Sequence, residues 1–498
     1  MYNGKDAIME LKEILYGLEK IKAKGELNLD IPNVVSNSKE VKPGDMFVVI
    51  NGFEANGEEY IGEAIKNGAK VIMAQYDIDK NIILSIPNEV TIILVENVRH
   101  ALAIVACNFY KNPSRKFKLI GVTGTKGKTT TTYMIKDMLE KQGIKVGLIG
   151  TICTYINGKS LGDNDRTTPE SLELQKLFRM MADEGCQVVV MEVSSQSLKL
   201  SRVDGCEFDI GIFTNFSEDH ISEKEHPDME DYFNSKVKLL KMCKYCYVNI
   251  DNIYTAKLPI LLPDSNIKTY GVDNPANLIA KDITVTNTTA DFKVKINDRN
   301  ERVKVGIPGR FSVYNALAAI CVGTQLGCST ENIKEALLNV RVPGRSELID
   351  NKKELKVMID YAHSPESLEN ILQSAKEYTI GNVICVFGCG GDRDALKRPI
   401  MGEIAGKLAN YTIITSDNPR TEDPESIVNQ IEEGIKKTKG KYECIVDRRE
   451  AIEKAIKMER KNDIVIIAGK GHELTQEINH KKYPFCEKEI VQEIIENL

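Results

Sequence analysis

The stretch that decides the fold is Gly121-Val-Thr-Gly-Thr-Lys-Gly-Lys-Thr-Thr-Thr131, which follows the apolar run Leu119-Ile120. A β-branched strand that runs into a glycine-spaced turn and then a threonine-rich helix start is the layout of a phosphate-cradling loop. Wrapping a triphosphate requires backbone without Cβ at the closest approaches, a cation for the outer phosphates and a hydroxyl for Mg2+. Gly124, Gly127, Lys128 and Thr129 supply these, and Thr125, Lys126 and Thr130 complete the nucleotide-binding loop. The strict pattern puts a glycine where Val122 stands, with Gly121 one step early. The run therefore indicates nucleotide phosphate without specifying an enzyme, and the competing reading is a Gly/Thr-rich strand-to-helix turn that holds nothing.

Outward from this loop, Val/Ile-rich runs alternate with longer helical patterns from residue 117 onward, which predicts an α/β fold with parallel sheets. Strands are expected over 118–123, 145–150, 188–193 and 209–214, with helices opening at Thr129 and Pro169 and another over 228–242. Strand-like runs at 283–296 and 302–307 and a helix over 313–325 close this part of the chain. Pro343-Gly344-Arg345 punctuates it. A second alternation follows, with strands at 355–359, 382–387, 411–415, 443–446 and 464–467. Three domains are expected: an N-terminal unit over 1–115, a central phosphate-loop mononucleotide-binding sheet over 116–343, and a C-terminal Rossmann-like doubly wound sheet over 344–498.

Composition narrows the class further. A chain of 498 residues exceeds what one core serves. With 42% hydrophobic and 28% charged residues and a net charge of -6, it reads as an ordinary globular protein without a basic field for nucleic acid. The twelve cysteines are read as scattered, with no Cys-x-x-Cys pair and no metal-finger spacing, many in apolar strand contexts such as that of Cys385, and as reduced core residues. The first residues lack a leader pattern and no run approaches about 18 apolar residues, so a cytoplasmic protein without membrane insertion is expected.

In doubly wound sheets ligands gather at the carboxyl ends of strands. The expected strand 188–193 delivers Glu192, Ser194 and Ser195 there, and a carboxylate beside a phosphate loop is an anionic oxygen ligand for Mg2+. A buried carboxylate paired to a lysine is the alternative. The next strand ends in Thr214-Asn-Phe-Ser-Glu-Asp-His220, a polar cluster at the same rim in which His220 is either a ligand or a hydrogen-bonded loop residue.

Gly124-Thr-Lys-Gly-Lys-Thr-Thr130, Glu192-Val-Ser-Ser195, Thr214-Asn215 with Asp219-His220, Asp360-Tyr-Ala-His363, Gly390-Gly-Asp-Arg-Asp394, Asp417-Asn-Pro-Arg420 and Gly469-Lys-Gly-His-Glu473 occur in that order along nearly the whole chain. In this the chain resembles the Mur ligase family of ATP-dependent peptidoglycan-precursor synthetases, most of all its members that add the third amino acid. The resemblance implies that Tyr232-Phe-Asn-Ser-Lys236 carries a carbamylated lysine; unmodified, Lys236 would be an ordinary helix-surface residue. It implies two Mg2+ ions, one held by Thr129 and Glu192 and one by Glu192, His220 and carbamylated Lys236, with Lys128 beside the ATP phosphates. Asn315, Arg345, Asp360 and His363 match nucleotide contacts. Ser38, in Ser36-Asn-Ser-Lys39, matches a contact to the uridine diphosphate, and Thr167, Thr168, Ser194 and Arg202 match contacts to the muramoyl dipeptide.

The implied reaction joins a diamino acid to UDP-N-acetylmuramoyl-L-alanyl-D-glutamate through an acyl phosphate, giving ADP and phosphate, with the enzyme a monomer. Arg393, Asp417, Asn418, Arg420, Gly469 and Glu473 match contacts to the added amino acid. Arg420 as a clamp on a distal carboxylate favours meso-diaminopimelate over L-lysine; the bland reading pairs Arg420 with Glu422 or Asp423. Gln196, Lys39 and Arg166 depart from the family pattern, as does the long Asp219-to-Lys236 segment, which suits a divergent paralogue or the LL isomer. A folylpolyglutamate-type ligase and a phosphate-loop switch or motor ATPase are the competing functions.

Overall fold

A computed structural model describes residues 8–52, 56–164, 166–219, 221–222 and 225–498. The chain divides into two compact units, Met1–Asn277 and Leu278–Leu498.

In the first unit the phosphate-loop strand, Lys118–Thr123, lies between Val188–Glu192 and Phe208–Phe213, parallel to both. Outward on one side come Val146–Ile149 and the antiparallel pair Cys153–Ile156 and Lys159–Asp163. On the other side lie Cys243–Asn249 and Ile267–Gly271. Val188–Glu192 is buried throughout, which is why a sheet covered on both faces reads as an uninterrupted apolar run. Register levels the strand ends, with Glu192 opposite Val122 and Phe213 opposite Thr123, so the loops after all three strands open at one rim.

Helix Lys128–Lys141 starts at Gly127, whose φ of 82° fits the sharp entry. Helix Met229–Lys241 is capped by Asp228, whose side chain accepts from the Asp231 amide at 2.8 Å. Its buried stripe includes Tyr232, Lys236, Leu239 and Leu240 at helical spacing, so Lys236 faces the interior and is not the surface residue its unmodified form was expected to be. A second sheet of this unit runs in the order Lys22–Lys24, Thr91–Val95, Val71–Gln75, Met46–Val48 and Val34–Val35, with only Lys22–Lys24 antiparallel.

The second unit opens with an antiparallel meander of Lys281–Val285, Ala290–Ile296 and Arg299–Val305. Helix Arg310–Gln325 then begins three residues before its expected start, because Gly309 supplies the turn and the Ser312 hydroxyl bonds its carbonyl at 2.7 Å. The six-stranded sheet has the order Glu347–Leu348, Val357–Asp360, Ile464–Ala468, Val383–Phe387, Tyr411–Ile414 and Lys441–Cys444, antiparallel only at the first pair. A hairpin of Thr475–Ile478 and Lys481–Pro484, not expected from sequence, is joined to Arg420 by a bridge at Ile478.

All twelve cysteines are free; nine are buried, and Cys444 is the exposed one. Cys243 and Cys246 do stand at Cys-x-x-Cys spacing, but their thiols donate to the helix carbonyls of Leu239 and Leu240 at 3.0 and 3.3 Å.

Candidate active site

The phosphate loop is held from the neighbouring strand end. The Thr214 hydroxyl donates to the Lys126 carbonyl at 2.6 Å, as does the Asn215 side-chain amide at 3.0 Å. The Asn215 side-chain oxygen accepts from the Lys126 amide at 2.9 Å and its carbonyl from the Thr125 amide at 2.9 Å. Lys128 folds over its own loop, donating to the Gly124 and Thr125 carbonyls, both at 3.0 Å. The loop so braced ends at the N-terminus of helix Lys128–Lys141 with the Lys128 ammonium folded over it, the arrangement that receives phosphate.

Glu192 is buried beside the cradle. It accepts from the Thr129 hydroxyl at 3.0 Å, the Thr151 hydroxyl at 3.1 Å and the Thr151 amide at 2.8 Å. Among the described residues its partners are hydroxyls and an amide, and no lysine pairs with it. Lys236 Nζ donates to the Gly124 carbonyl at 2.9 Å and lies 4.5 Å from the Tyr232 ring centre. Burial, reinforced by Lys128, holds its ammonium well below the ordinary lysine pKa. His220 lies outside the described residues.

Among the described residues no three His, Cys, Asp or Glu side chains form a ready-made metal set. The buried oxygens of Thr129 and Glu192 nevertheless suit Mg2+, which keeps several waters and takes phosphate oxygens for the rest.

A cleft of about 750 Å3 runs past Lys128, Arg166, Thr167, Thr168, Ser194 and Arg202. The Thr168 hydroxyl donates to the Glu192 carbonyl at 2.9 Å and accepts from the Ser194 amide at 3.1 Å, while Arg202 reaches the Thr168 carbonyl at 3.2 Å and Glu170 at 2.8 Å. These side chains form one wall of the cleft. Ser38 is not part of its lining; that residue is buried, with its hydroxyl on Glu63.

Sequence reasoning missed His226, which is fully buried. Its Nε2 meets the Ser195 hydroxyl at 2.9 Å and its Nδ1 meets Asp231 at 2.7 Å, with Lys199 on the same carboxylate at 2.8 Å. Burial lowers the imidazole pKa against the opposing pull of Asp231. The available signal was its place two residues before the Asp228 cap, in the long segment between Asp219 and Lys236.

In the second unit, the Arg345 guanidinium lies 4.7 Å from the Tyr361 ring centre, and Asp360 accepts from the Ser346 amide at 2.7 Å. Burial raises the Asp360 pKa and lowers that of His363, whose Nδ1 sits 2.8 Å from the Tyr361 carbonyl. Asn315 is buried in helix Arg310–Gln325.

The candidate amino-acid residues follow the carboxyl ends of three strands: Arg393 that of Val383–Phe387, Asp417, Asn418 and Arg420 that of Tyr411–Ile414, and Gly469 and Glu473 that of Ile464–Ala468. The Asn418 amide donates to Glu473 at 2.8 Å, and a Cβ at Gly469 would fall 2.5 Å from Asp417. Arg393 is exposed, and among the described residues its bond is to the carbonyl of its neighbour Asp392, at 3.1 Å. Arg420 does not pair with Glu422 or Asp423, because Arg398 takes Glu422 through two bonds of 2.8 Å and Asp423 caps helix Pro424–Ile435. It pairs with Glu477 at 3.2 Å. Behind this site lies buried Arg448, also missed, which bonds Glu487 at 2.6 Å and the carbonyls of Ser416 and Ala468.

A phosphate cradle with a buried carboxylate on its threonine, at the rim of a parallel sheet, defines a nucleotide-binding α/β enzyme. The Mur ligase family catalytic domain matches residues 30–110, the Mur ligase middle domain 122–323, and the Mur ligase glutamate ligase domain 344–471. The chain belongs to the Mur ligase family. A curated relative from Caldanaerobacter subterraneus subsp. tengcongensis is 49% identical, covering 98% of this chain and 99% of its own. Another, from Clostridium botulinum, is 44% identical, covering 98% and 100%. Both are named UDP-N-acetylmuramoyl-L-alanyl-D-glutamate--2,6-diaminopimelate ligase. A solved structure of a ligase of that name superposes with a TM-score of 0.71 at 28% identity, covering 98% of this chain and 99% of its own. Among the described residues no helix is long and apolar enough to cross a membrane.

Proposed function

We propose that this chain is the ATP-dependent ligase that joins 2,6-diaminopimelate to the D-glutamate of UDP-N-acetylmuramoyl-L-alanyl-D-glutamate in peptidoglycan precursor synthesis. The observation that carries the reading is 49% identity to a ligase of that name over 98% of the chain. We propose the meso isomer as substrate, a cytoplasmic location and a monomer.

The chemistry must bring together two anions, a carboxylate and a γ-phosphate. The loop amides and Lys128 hold the phosphates, and Lys128 lowers the charge repulsion as the phosphoryl group transfers. Thr129 and Glu192 would hold one Mg2+, and Glu192, His220 and carbamylated Lys236 a second; these ions supply charge neutralisation. The acceptor carboxylate attacks the γ-phosphorus and ADP leaves; the amine then attacks the acyl carbon and phosphate leaves.

Residues 1–115, with Ser38, are read as the uridine-nucleotide domain, and Thr167, Thr168, Ser194 and Arg202 as the grip on the dipeptide. Residues 116–343 take ATP, and Asn315, Arg345, Asp360 and His363 add nucleotide contacts. Residues 344–498 take the diamino acid, through Arg393, Asp417, Asn418, Arg420, Gly469 and Glu473.

Phosphate release is measured with ATP, Mg2+ and the UDP-muramoyl dipeptide, with meso-diaminopimelate, its LL isomer or L-lysine. Release that needs both dipeptide and amine, and is fastest with the meso isomer, is expected. Hydrolysis independent of both would sink the reading.

A further inference from the structure

We infer that Glu477 is a specificity-determining positioning residue: it holds the Arg420 guanidinium so that the outer edge of the fork is offered to the distal carboxylate of a diamino acid. This rests on the reading of Arg420 as the ligand clamp.

Glu477 lies in the hairpin strand Thr475–Ile478, outside every motif that marks the site. That hairpin fixes the Arg420 backbone, which has a φ of 51°. The Arg420 amide donates to the Glu477 carbonyl at 3.0 Å, and the Asn479 amide to the Arg420 carbonyl at 2.7 Å. A non-glycine residue in the left-handed region persists only where neighbours hold it there, and these two bonds do so.

The side chain is fixed from the same strand. Nε donates to Glu477 Oε2 at 3.2 Å and Nη1 to the Gly391 carbonyl at 2.6 Å. Of the five guanidinium N–H groups these use two, leaving both on Nη2 and one on Nη1. Nη2, with both its N–H groups uncommitted, keeps donors that a carboxylate can take in a charge-assisted bond. A ligand carboxylate therefore adds to the Glu477 pairing and does not compete with it. The Arg420 side chain is only 20% exposed, so a fixed counter-charge matters there more than at the surface.

The same network prepares an acceptor. Glu473 Oε2 takes both Asn418, at 2.8 Å, and the buried Lys470, at 3.0 Å, and among the described residues Oε1 carries no bond. The Glu477 amide donates to the Asn418 side-chain oxygen at 2.9 Å, which ties the hairpin to that acceptor. A donor edge for a carboxylate and an acceptor for an ammonium on one connected frame suit the zwitterionic end of a diamino diacid. L-lysine lacks the distal carboxylate and leaves the donor edge unused.

The test measures phosphate release by the full chain with meso-diaminopimelate and with L-lysine, in the wild type and in Glu477→Ala, Glu477→Gln and Arg420→Ala. Glu477→Ala is expected to raise KM for diaminopimelate about tenfold, the worth of one charge-assisted hydrogen bond, with kcat within about twofold and the lysine KM unmoved. Glu477→Gln keeps an oxygen for Nε and is expected to recover most of the loss. An unchanged KM for ATP reports the fold, and Glu477→Ser replaces the alanine variant if that is unstable. An unchanged or lowered KM for diaminopimelate in Glu477→Ala overturns the proposal. If Arg420→Ala also keeps the preference for diaminopimelate, the clamp reading itself fails; if Arg420→Ala loses it, only the role of Glu477 does.

Discussion

The Lys236 ammonium donates to the carbonyl of Gly124, 112 positions away in the chain, at 2.9 Å from inside the protein. Burial disfavours the charged form, and a neutral amine is what CO2 requires to form a carbamate. Lys236→Ala is expected to lower kcat by about a hundredfold or more, the scale for removing a group that stabilises developing charge. Short carboxylic acids should restore part of the rate by placing oxygens in the space left. Full activity in the alanine variant would exclude any role for Lys236 in the reaction.

Gly124 carries the closest approach in the loop. Its φ is 143°, and an added Cβ would fall 2.0 Å from the Thr214 hydroxyl that holds the Lys126 carbonyl. Gly124→Ala should destabilise the fold by about 1–3 kcal/mol, the range for a strained backbone position, and weaken ADP binding. Calorimetric titration and thermal melting check both, and unaltered ADP affinity would contradict the placement of this carbonyl at the cradle.

His226 sets a pH response. Burial lowers its pKa from the ordinary 6.5, with Asp231 pulling up and Lys199 and Lys236 pushing down, while Ser195 and the Tyr232 ring also face it. The unfolded chain takes up this proton before the folded one, so the contribution is complete above about 6.5 and is lost as pH falls below it. Melting temperature against pH should fall less steeply for His226→Gln than for the wild type between pH 6.5 and 5. Parallel curves would show that this imidazole does not resist protonation.

Arg448 and Glu487 form an ion pair whose side chains are both fully buried. Glu487→Ala leaves the guanidinium without its counter-charge and should cost about 3–5 kcal/mol. Because Arg448 also holds the Ser416 and Ala468 carbonyls, KM for the amino acid should rise at temperatures where the variant is folded. An unchanged melting temperature would refute this account.

Much of this architecture is legible in sequence because parallel strands are nearly pure apolar runs and their ends carry the chemistry. Glu192, Thr129 and Lys128 could be read from one strand and one loop. Even the burial of Lys236 was available, since it shares a helical stripe with Tyr232 and Leu239. What could not be read depends on segments far apart in the chain. Glu477 lies 57 positions from the arginine it holds, and His226 lies 31 positions from Ser195. The hairpin that carries Glu477 has four exposed residues in its second strand and no apolar alternation to announce it. Its register is set by the two-residue turn Asn479-His480, both at positive φ, and backbone bonds to Arg420 hold it in place.

The distribution of the cysteines gives the molecule an internal clock for its own opening. Only Cys444 meets solvent freely, whereas nine thiols are packed inside. An alkylating reagent added to the native protein should mark Cys444 first and reach each of the nine buried thiols only when the segment around it breathes. The order in which thiols are captured, read peptide by peptide, would rank local stabilities across both units without a single introduced label.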